Sequence, residues 1–189
     1  MGKKPLNEKQ IRTLRKLTAG KPLHSLLLNL SVDLMLRASD LLKLKVSDVM
    51  HADRTVKDSI QVKQKKTGKK TIEIPLSENS KKVILQHLSE KSLDQHIFTG
   101  QKSHYTGKAI STNQYQRIVK GWMTDLGVED VSVFSSHSMR KTKASHLYSI
   151  TNNVEAVRRL LGHQSVTATS SYLGVNDEDA TELAKLHSI

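Results

Sequence analysis

The segment from His24 to Leu36 constrains the fold of this chain more than any other, because it is apolar over most of its length. Its apolar side chains do not fall on one helical stripe, so a helix built from them has to be buried on most of its surface. The segment therefore predicts the core helix of the domain. Its apolar members are Leu26, Leu27, Leu28, Leu30, Val32, Leu34, Met35 and Leu36.

Residues that cap helices precede several other apolar patterns. Asn7 forms a capping box with Gln10 and begins a helix that Gly20 ends. We expect Leu17 to face inward from this helix, and Leu85 from the helix that follows Ser77. The same signals predict helices over 40–44, 78–90, 113–126, 137–150, 154–161, 166–172 and 177–186, with caps at Ser39, Ser77, Ser111, Asn153, Ser165 and Asn176.

Between Ser59 and Pro75 the pattern changes from helical to alternating, with apolar residues separated by polar ones on both sides of the run KQKKTGKK. Gly68 sits where a tight turn needs it. The segment predicts a β-hairpin with lysines at its tip, to which a third strand beginning at Thr55 could add. The alternating apolar residues are Ile60, Val62, Ile72 and Ile74.

These elements predict a mainly α fold with a small antiparallel β-sheet, an α+β class. The length of 189 residues suits one domain spanning 1–189. The net charge is +12, which suits a polyanionic partner, with nucleic acid as the first candidate. A basic protein that is merely soluble remains the alternative. The absence of cysteine excludes a thiol nucleophile and disulfides.

The N-terminus lacks the apolar core of a signal peptide, and no apolar run approaches membrane-spanning length. The sequence therefore predicts a cytoplasmic, nucleoid-associated protein with no membrane partner. The histidines show no H-x-x-x-H spacing and no carboxylate partner at the spacing of a metal site. We accordingly predict that the protein uses no metal and no cofactor.

Residues that suit phosphodiester chemistry lie close together near the C-terminus: His137, Arg140, His163 and Tyr172. Arg37 precedes them by about a hundred residues. Guanidinium groups can bind phosphate through two hydrogen bonds, and a phenol can attack phosphorus to form a covalent intermediate. Each residue also has an ordinary interpretation, such as a surface arginine or a half-buried tyrosine with a bonded hydroxyl.

Two further groups of residues could support this chemistry. Asp40 lies three residues after Arg37 and could hold the guanidinium in place. The hairpin lysines could contact DNA phosphates as a solvated basic turn. One of them could instead reach the site, where nearby like charge would make it release its proton more readily, as a general acid requires. These lysines are Lys63, Lys65, Lys66, Lys69 and Lys70.

Four segments, LMLRASDLLKLKVSDV, KQKKTGKKTIEIPL, SSHSMRKTKASHL and VRRLLGHQSVTATSSYL, resemble the successive boxes of the tyrosine recombinases, the phage integrase family. The resemblance runs from about Leu34 to Leu173, and the LLGH box with its following tyrosine is its most specific part. It implies Tyr172 as the nucleophile and Asp40 as a supporting acid. It implies a catalytic set of Arg37, Lys66, His137, Arg140, His163 and Tyr172.

The resemblance also implies DNA contacts from the other basic residues, namely Lys63, Lys65, Lys69 and Lys141. Lys141 is a departure, since the family often has histidine after the box arginine, but this is not a catalytic position. Little chain precedes Arg37, so we expect no separate N-terminal DNA-clamping domain within it. A compact family member and an excised catalytic domain both fit.

The implied activity is site-specific recombination of double-stranded DNA through a 3′-phosphotyrosine, by four protomers on two sites. The helix over 177–186 could pack on its own domain or dock into a neighbouring protomer. A type IB topoisomerase-like nicking-closing enzyme would use the same chemistry. A non-catalytic DNA-binding module remains open, whereas an RNA-binding domain is disfavoured by the low aromatic content of 4%.

Overall fold

The computed structural model describes residues 3–100, 107–174, 181 and 185. Helices dominate these residues, and a short 3-10 helix over Val131–Val133 joins two of them. The helices are α1 (Glu8–Thr18), α2 (Pro22–Leu34), α3 (Ala38–Leu41), α4 (Val46–Val49), α5 (Glu78–Leu88), α6 (Thr112–Asp125), α7 (Ser136–Thr151), α8 (Val154–Leu161) and α9 (Val166–Leu173).

Two strands, β1 (Ser59–Ile60) and β2 (Ile74–Pro75), pair antiparallel and form the base of the predicted hairpin. The Lys63–Lys70 bridge extends the pairing toward the tip, where Gly68 has a φ of +69°. Within the described residues the predicted third strand is reduced to the single Met50–Val56 bridge. The predicted class, mainly α with a small antiparallel sheet, is confirmed.

Helix α2 is the centre of the core, as its composition predicts. Every residue from Ser25 to Leu34 is buried, and the helix contacts α1, α5 and α7 on different sides. The helix ends at Met35, whose φ of +50° turns the chain toward Arg37. The buried position of α2 thus places Arg37 at the edge of the core rather than on an open surface.

Local capping decides where most of the other helices begin. Each predicted cap below accepts a hydrogen bond from a backbone N–H in the first turn of its helix, which satisfies a donor that the helix leaves unpaired. These caps are Asn7, Ser77, Ser111, Asn153 and Ser165.

Three local predictions are wrong. Helix α3 begins at Ala38, two residues earlier than predicted, and Ser39 lies inside it instead of capping it. Leu17 and Leu85 face solvent, with 45% and 55% of their surface exposed, because their helices bury a narrower stripe than the apolar pattern suggests. The predicted helix over 177–186 lies outside the described residues, apart from Thr181 and Lys185, which are helical.

A partly buried ion pair connects α2 to α7, the helix that carries two of the candidate catalytic residues. Lys143 Nζ lies 2.6 Å from Asp33 Oδ1, and Asp33 Oδ2 accepts a hydrogen bond of 2.7 Å from the Ser77 N–H at the start of α5. Asp33 therefore links three helices through one carboxylate. None of the described helices is long and apolar enough to cross a membrane.

Candidate active site

Arg140 is the most deeply buried of the six candidate catalytic residues, with 4% of its surface exposed. It lies one turn into α7, and its Nη2 donates a hydrogen bond of 2.7 Å to the Leu161 carbonyl at the end of α8. Burial lowers the pKa of its guanidinium to about 10, opposed by the neighbouring Tyr172 oxygen. The guanidinium therefore remains charged at neutral pH in a largely dry setting.

His163 follows a turn that glycine makes possible. Gly162 has a φ of +64°, and the chain reverses there so that Arg158 Nη1 donates a hydrogen bond of 2.7 Å to the His163 carbonyl. Burial, with the charges of Arg140 and Arg37 next in size, lowers the pKa of the His163 imidazole to about 4. The ring is therefore neutral at physiological pH.

Thr169, which is fully buried on α9, orients the His163 ring. Its hydroxyl lies 3.2 Å from His163 Nδ1 and also 3.1 Å from the Ser165 carbonyl. The hydroxyl donates its one hydrogen to the Ser165 carbonyl and therefore accepts from the His163 Nδ1–H. If the hydroxyl turns to donate to Nδ1 instead, the neutral ring carries its proton on Nε2 and can donate it to an anion.

Tyr172 lies one turn beyond Thr169 on the same helix, and its ring packs edge-on against that of His163 with centroids 5.3 Å apart. Its hydroxyl donates a long hydrogen bond of 3.5 Å to the His137 carbonyl. Burial raises the pKa of the phenol to about 12, although the Arg140 guanidinium pulls it down. Lys141 Nζ lies 5.8 Å from the centroid of the ring.

His137, near the N-terminus of α7, contributes its backbone to this contact, while its side chain is exposed. Burial of part of the ring, with the charges of Arg140 and Arg37, lowers the pKa of its imidazole. A neutral imidazole can accept a proton. No hydrogen bond joins this imidazole to the Tyr172 phenol among the described residues; the phenol bonds to the His137 backbone carbonyl.

Arg37 stands at the N-cap position of α3, and its Nη1 donates a hydrogen bond of 3.2 Å to Gln64 Oε1 in the hairpin. The predicted role of Asp40 as the clamp of Arg37 is wrong for the described residues. Asp40 Oδ1 instead accepts a hydrogen bond of 2.8 Å from the Lys65 N–H. Asp40 therefore secures the hairpin backbone, and no hydrogen bond or ion pair joins it to the Arg37 guanidinium among the described residues.

The hairpin lysines Lys63, Lys65, Lys66 and Lys69 are exposed. Among the described residues none of their ammonium groups has a hydrogen bond or ion pair, so they are available to a ligand. The charge of Lys66 contributes to the lowered pKa of His163, so this lysine lies close enough to the ring for its charge to act there.

The structure therefore brings Arg37, Arg140, His163 and Tyr172 together, with the His137 carbonyl beneath the phenol. Sequence reasoning missed Gln64 and Thr169. Gln64 continues the alternation of Ile60 and Val62, and this pattern predicts that its side chain points inward. The prediction was missed because lysines surround Gln64 in the sequence. No sequence pattern near Thr169 predicts its role, because its contact with His163 depends on how the chain turns at Gly162.

No three histidine or acidic side chains within 3–100 and 107–174 come together in a way that could hold a metal ion. The prediction of a reaction without metal or cofactor remains a prediction.

Comparison with known proteins identifies the family of this chain. The phage integrase family model matches residues 4–179. The probable integrase/recombinase YoeC of Bacillus subtilis is 32% identical over 149 residues, which make up 79% of this chain and 75% of YoeC. The tyrosine recombinase XerC of Neisseria gonorrhoeae is 32% identical over 91 residues, which make up 48% of this chain and 27% of XerC.

Two solved structures share the fold. The crystal structure of the XerA recombinase matches with a TM-score of 0.75 at 19% identity, covering 100% of this chain and 67% of XerA. The post-cleavage complex of the XerH site-specific recombinase with palindromic difH substrate matches with a TM-score of 0.71 at 19% identity, covering 100% of this chain and 54% of XerH.

The fold is that of a tyrosine recombinase catalytic domain. With nearly all of its length matched by the family model, the chain belongs to the phage integrase family, the tyrosine recombinases. The family resemblance inferred from the four sequence segments is thereby confirmed.

Proposed function

We propose that this chain is a site-specific DNA recombinase that cuts and rejoins strands through a 3′-phosphotyrosine formed on Tyr172. The observation that carries the proposal is the placement of the Tyr172 phenol beside the Arg140 guanidinium and the His163 ring, in the same pocket as the charge of Arg37. A half-buried phenol next to two arginines matches the needs of a nucleophile that attacks a phosphodiester.

Phosphate binding falls to Arg37, Arg140 and His163. The guanidinium groups neutralise the nonbridging oxygens. His163 donates to one of them from Nε2 once the Thr169 hydroxyl turns from the Ser165 carbonyl to Nδ1. Because Arg140 is buried and already bound to the Leu161 carbonyl, its charge is fixed in place before the substrate arrives. Such preorganised charge stabilises the pentacoordinate transition state more than a mobile charge in water does.

In the covalent step one bond to phosphorus forms as another breaks, and the proposed step uses no cofactor. The Tyr172 oxygen forms a bond to phosphorus as the bond from phosphorus to the 5′ oxygen breaks. His137 takes the phenol proton, which requires its exposed imidazole to turn toward Tyr172 when DNA binds. Lys66 delivers a proton to the departing 5′ oxygen. The reverse attack by a 5′ hydroxyl rejoins the strand and restores the phenol.

A groove between the hairpin and the turn after α8 supports double-stranded DNA as the substrate. It encloses about 460 Å³ and is lined on both sides by basic residues. Together with the overall charge of +12, it provides a path for the phosphate backbone. The basic lining residues are Lys69, Lys70, Arg158 and Arg159.

Lys63, Lys65 and Lys141 extend this basic surface and are proposed to contact the backbone on either side of the cleaved phosphate. The XerH relative is a complex with its difH substrate, which supports DNA as the ligand of the shared fold. Assembly of four protomers on two sites is part of the same proposal, with the segment 177–186, which the sequence predicts to be helical, as a docking element.

The test is a search for a covalent adduct. The protein is incubated with a randomised duplex library containing nicks, denatured in SDS and compared with Tyr172→Phe. When a nick lies a few nucleotides beyond the cleaved bond, the short fragment that carries the new 5′-hydroxyl diffuses away. Without that hydroxyl the strand cannot be rejoined, so the covalent intermediate accumulates. We expect an SDS-resistant adduct from wild type alone, and sequencing the trapped DNA gives the site.

An adduct that Tyr172→Phe also forms would reject the assignment of the nucleophile. Salt-sensitive binding with no adduct from either protein would favour a non-catalytic DNA-binding module. With the trapped site in a supercoiled plasmid, exchange between two sites indicates a recombinase, whereas relaxation alone indicates a nicking-closing enzyme.

A further inference from the structure

Gln64 is a buried residue in a segment of exposed lysines. Its exposed fraction is 3%, although its neighbours Lys63, Lys65 and Lys66 all face solvent. A polar side chain that is buried in a solvated hairpin loses hydration, and that loss has to be offset by specific contacts. The contacts of Gln64 therefore indicate what the hairpin is held against.

The side-chain amide of Gln64 joins three parts of the site. Its Oε1 accepts hydrogen bonds from Arg37 Nη1 at 3.2 Å and from Thr67 Oγ1 at 3.0 Å. Its Nε2 lies over Gly162, so closely that a Cβ at that glycine would approach it to 2.5 Å. One amide thus contacts the first arginine, the residue after Lys66, and the turn that presents His163.

The backbone on the other side of Lys66 is anchored as well. The Lys65 N–H donates to Asp40 Oδ1 on α3, the helix that begins at Arg37. Lys66 therefore lies between a residue fixed through Asp40 and a residue fixed through Gln64. Its side chain is unrestrained, but the position from which that side chain reaches is set by these two contacts.

We propose that Gln64 is a positioning residue that sets Lys66 against the phosphate site formed by Arg37 and His163. The inference rests on the proposed function, in which Lys66 protonates the 5′ leaving oxygen. Gln64 does not touch the reacting atoms. It makes the hairpin, the first arginine and the Gly162 turn move as one unit, so that the proton donor and the phosphate-binding groups arrive together.

Gln64→Met is the informative variant. Methionine has a similar length and can cover Gly162, but it cannot accept hydrogen bonds of comparable strength from Arg37 and Thr67. Gln61→Met is the matched control, because Gln61 is an exposed glutamine on the same hairpin. Lys66→Ala and Arg37→Ala provide the reference defects for a lost proton donor and for a lost phosphate ligand.

The substrate pair is the trapped DNA site with either oxygen or sulfur at the bridging 5′ position. With sulfur, the phosphorus–sulfur bond breaks and the leaving group departs as a thiolate. It needs no proton, because a thiol ionises near pH ~8.5, far below an alcohol. A residue that acts through Lys66 therefore affects the oxygen substrate much more than the sulfur substrate.

We expect Gln64→Met to cleave the oxygen substrate on the order of a hundredfold more slowly than wild type, as loss of general-acid catalysis typically does. The ratio of sulfur to oxygen cleavage should rise in Gln64→Met as it does in Lys66→Ala. It should stay at the wild-type value in Arg37→Ala and in Gln61→Met. A wild-type ratio in Gln64→Met would overturn the inference.

A second measurement does not depend on activity. Hydrogen exchange followed by mass spectrometry compares wild type, Gln64→Met and Gln61→Met without DNA. We expect Gln64→Met to exchange faster both in the hairpin over 64–70 and in the turn over 159–163, and Gln61→Met in neither. Faster exchange in the hairpin alone would overturn the coupling. If wild type forms no adduct, the proposed function fails, and the exchange data still decide whether Gln64 couples the two segments.

Discussion

The ring of His163 stands edge-on to the ring of Tyr172, with the centroids 5.3 Å apart and the planes at 87°. The contact joins a residue that follows α8 to a residue on α9. It is possible because Gly162 reverses the chain between the two helices. The candidate nucleophile and a candidate phosphate ligand are therefore packed against each other before any DNA is present.

The setting of this pair predicts an unusual titration for His163. Burial and the charges of Arg140 and Arg37 hold the pKa of its imidazole near 4, so the ring should remain neutral down to about pH 5. Two-dimensional NMR of the labelled histidines measures this directly, with His163→Gln to assign the signal. Arg140→Ala should raise the pKa, because it removes a like charge. Titration of His163 near pH 6.5 in wild type would show that the pocket is solvated and contradict the description of the site.

Thr169→Val tests whether a hydroxyl orients the His163 ring. Valine keeps the volume but cannot bond to Nδ1, so the ring loses the group that fixes its rotation and tautomer. We expect cleavage to slow by roughly fivefold to tenfold, the equivalent of a hydrogen bond worth about 1 kcal/mol. Thr169→Ser keeps the hydroxyl and serves as the control. Equal rates for Thr169→Val and wild type in single-turnover cleavage would mean that the ring is held by packing alone.

Removing Arg140 should destabilise the protein more than removing Arg37, whereas both substitutions should slow cleavage. Arg140→Ala leaves the buried Leu161 carbonyl without its donor, which should lower the free energy of unfolding by about 2 kcal/mol. Arg37→Ala should change it little, because Gln64 Oε1 keeps its bond from Thr67. Both variants should lose on the order of a hundredfold or more in cleavage. Urea titration measures the free energy of unfolding, and adduct formation measures cleavage. Equal stability losses in the two variants would contradict the structural role given to the Arg140–Leu161 hydrogen bond.

The Asp33–Lys143 pair predicts an acid-sensitive link between α2 and α7. Burial alone would raise the pKa of Asp33, but hydrogen bonds from Lys143, Ser77 and Ser80 outweigh it and lower the pKa below 3.8. As the pH falls, the unfolded chain binds this proton first. The contribution is therefore complete above pH ~4 and is lost as the pH falls through the folded pKa.

Asp33→Asn should accordingly destabilise the protein by about 3 kcal/mol at neutral pH, since it leaves Lys143 partly buried without its partner. It should also flatten the loss of stability below pH ~4. The control is Asp58→Asn, which removes an exposed pair with Lys81 and should change stability little. Thermal unfolding between pH 3 and 7 measures both variants. An acid transition in Asp33→Asn as steep as in wild type would assign that transition to other groups.

The sequence predicts most of the fold because most of it is decided locally. Asn7, Ser77 and Asn153 cap their helices through bonds within one turn, and the apolar composition of α2 requires burial whatever surrounds it. Ser39 fails as a cap because the chain turns at Met35 and α3 already begins at Ala38, with Arg37 in the N-cap position. That earlier start depends on how α2 packs, which no local pattern contains.

The site is less predictable than the fold, because its contacts join distant residues. The spacing of three residues predicted a contact between Asp40 and Arg37. In the structure the hairpin packs against α3, and Asp40 accepts a hydrogen bond from the Lys65 N–H instead. The bond from Arg37 to Gln64 arises from the same placement of the hairpin. The catalytic roles of the six candidate residues rest on the family resemblance and on this geometry, and cleavage experiments decide them.

The most direct test of the central claim is to identify the residue that carries DNA. The SDS-resistant adduct is digested with nuclease and trypsin, and the nucleotide-linked peptide is sequenced by mass spectrometry. We predict a single linkage at Tyr172, with Tyr148→Phe still forming the adduct and Tyr172→Phe forming none. A nucleotide on Ser170, Ser171 or another tyrosine would contradict the assignment of Tyr172 as the nucleophile.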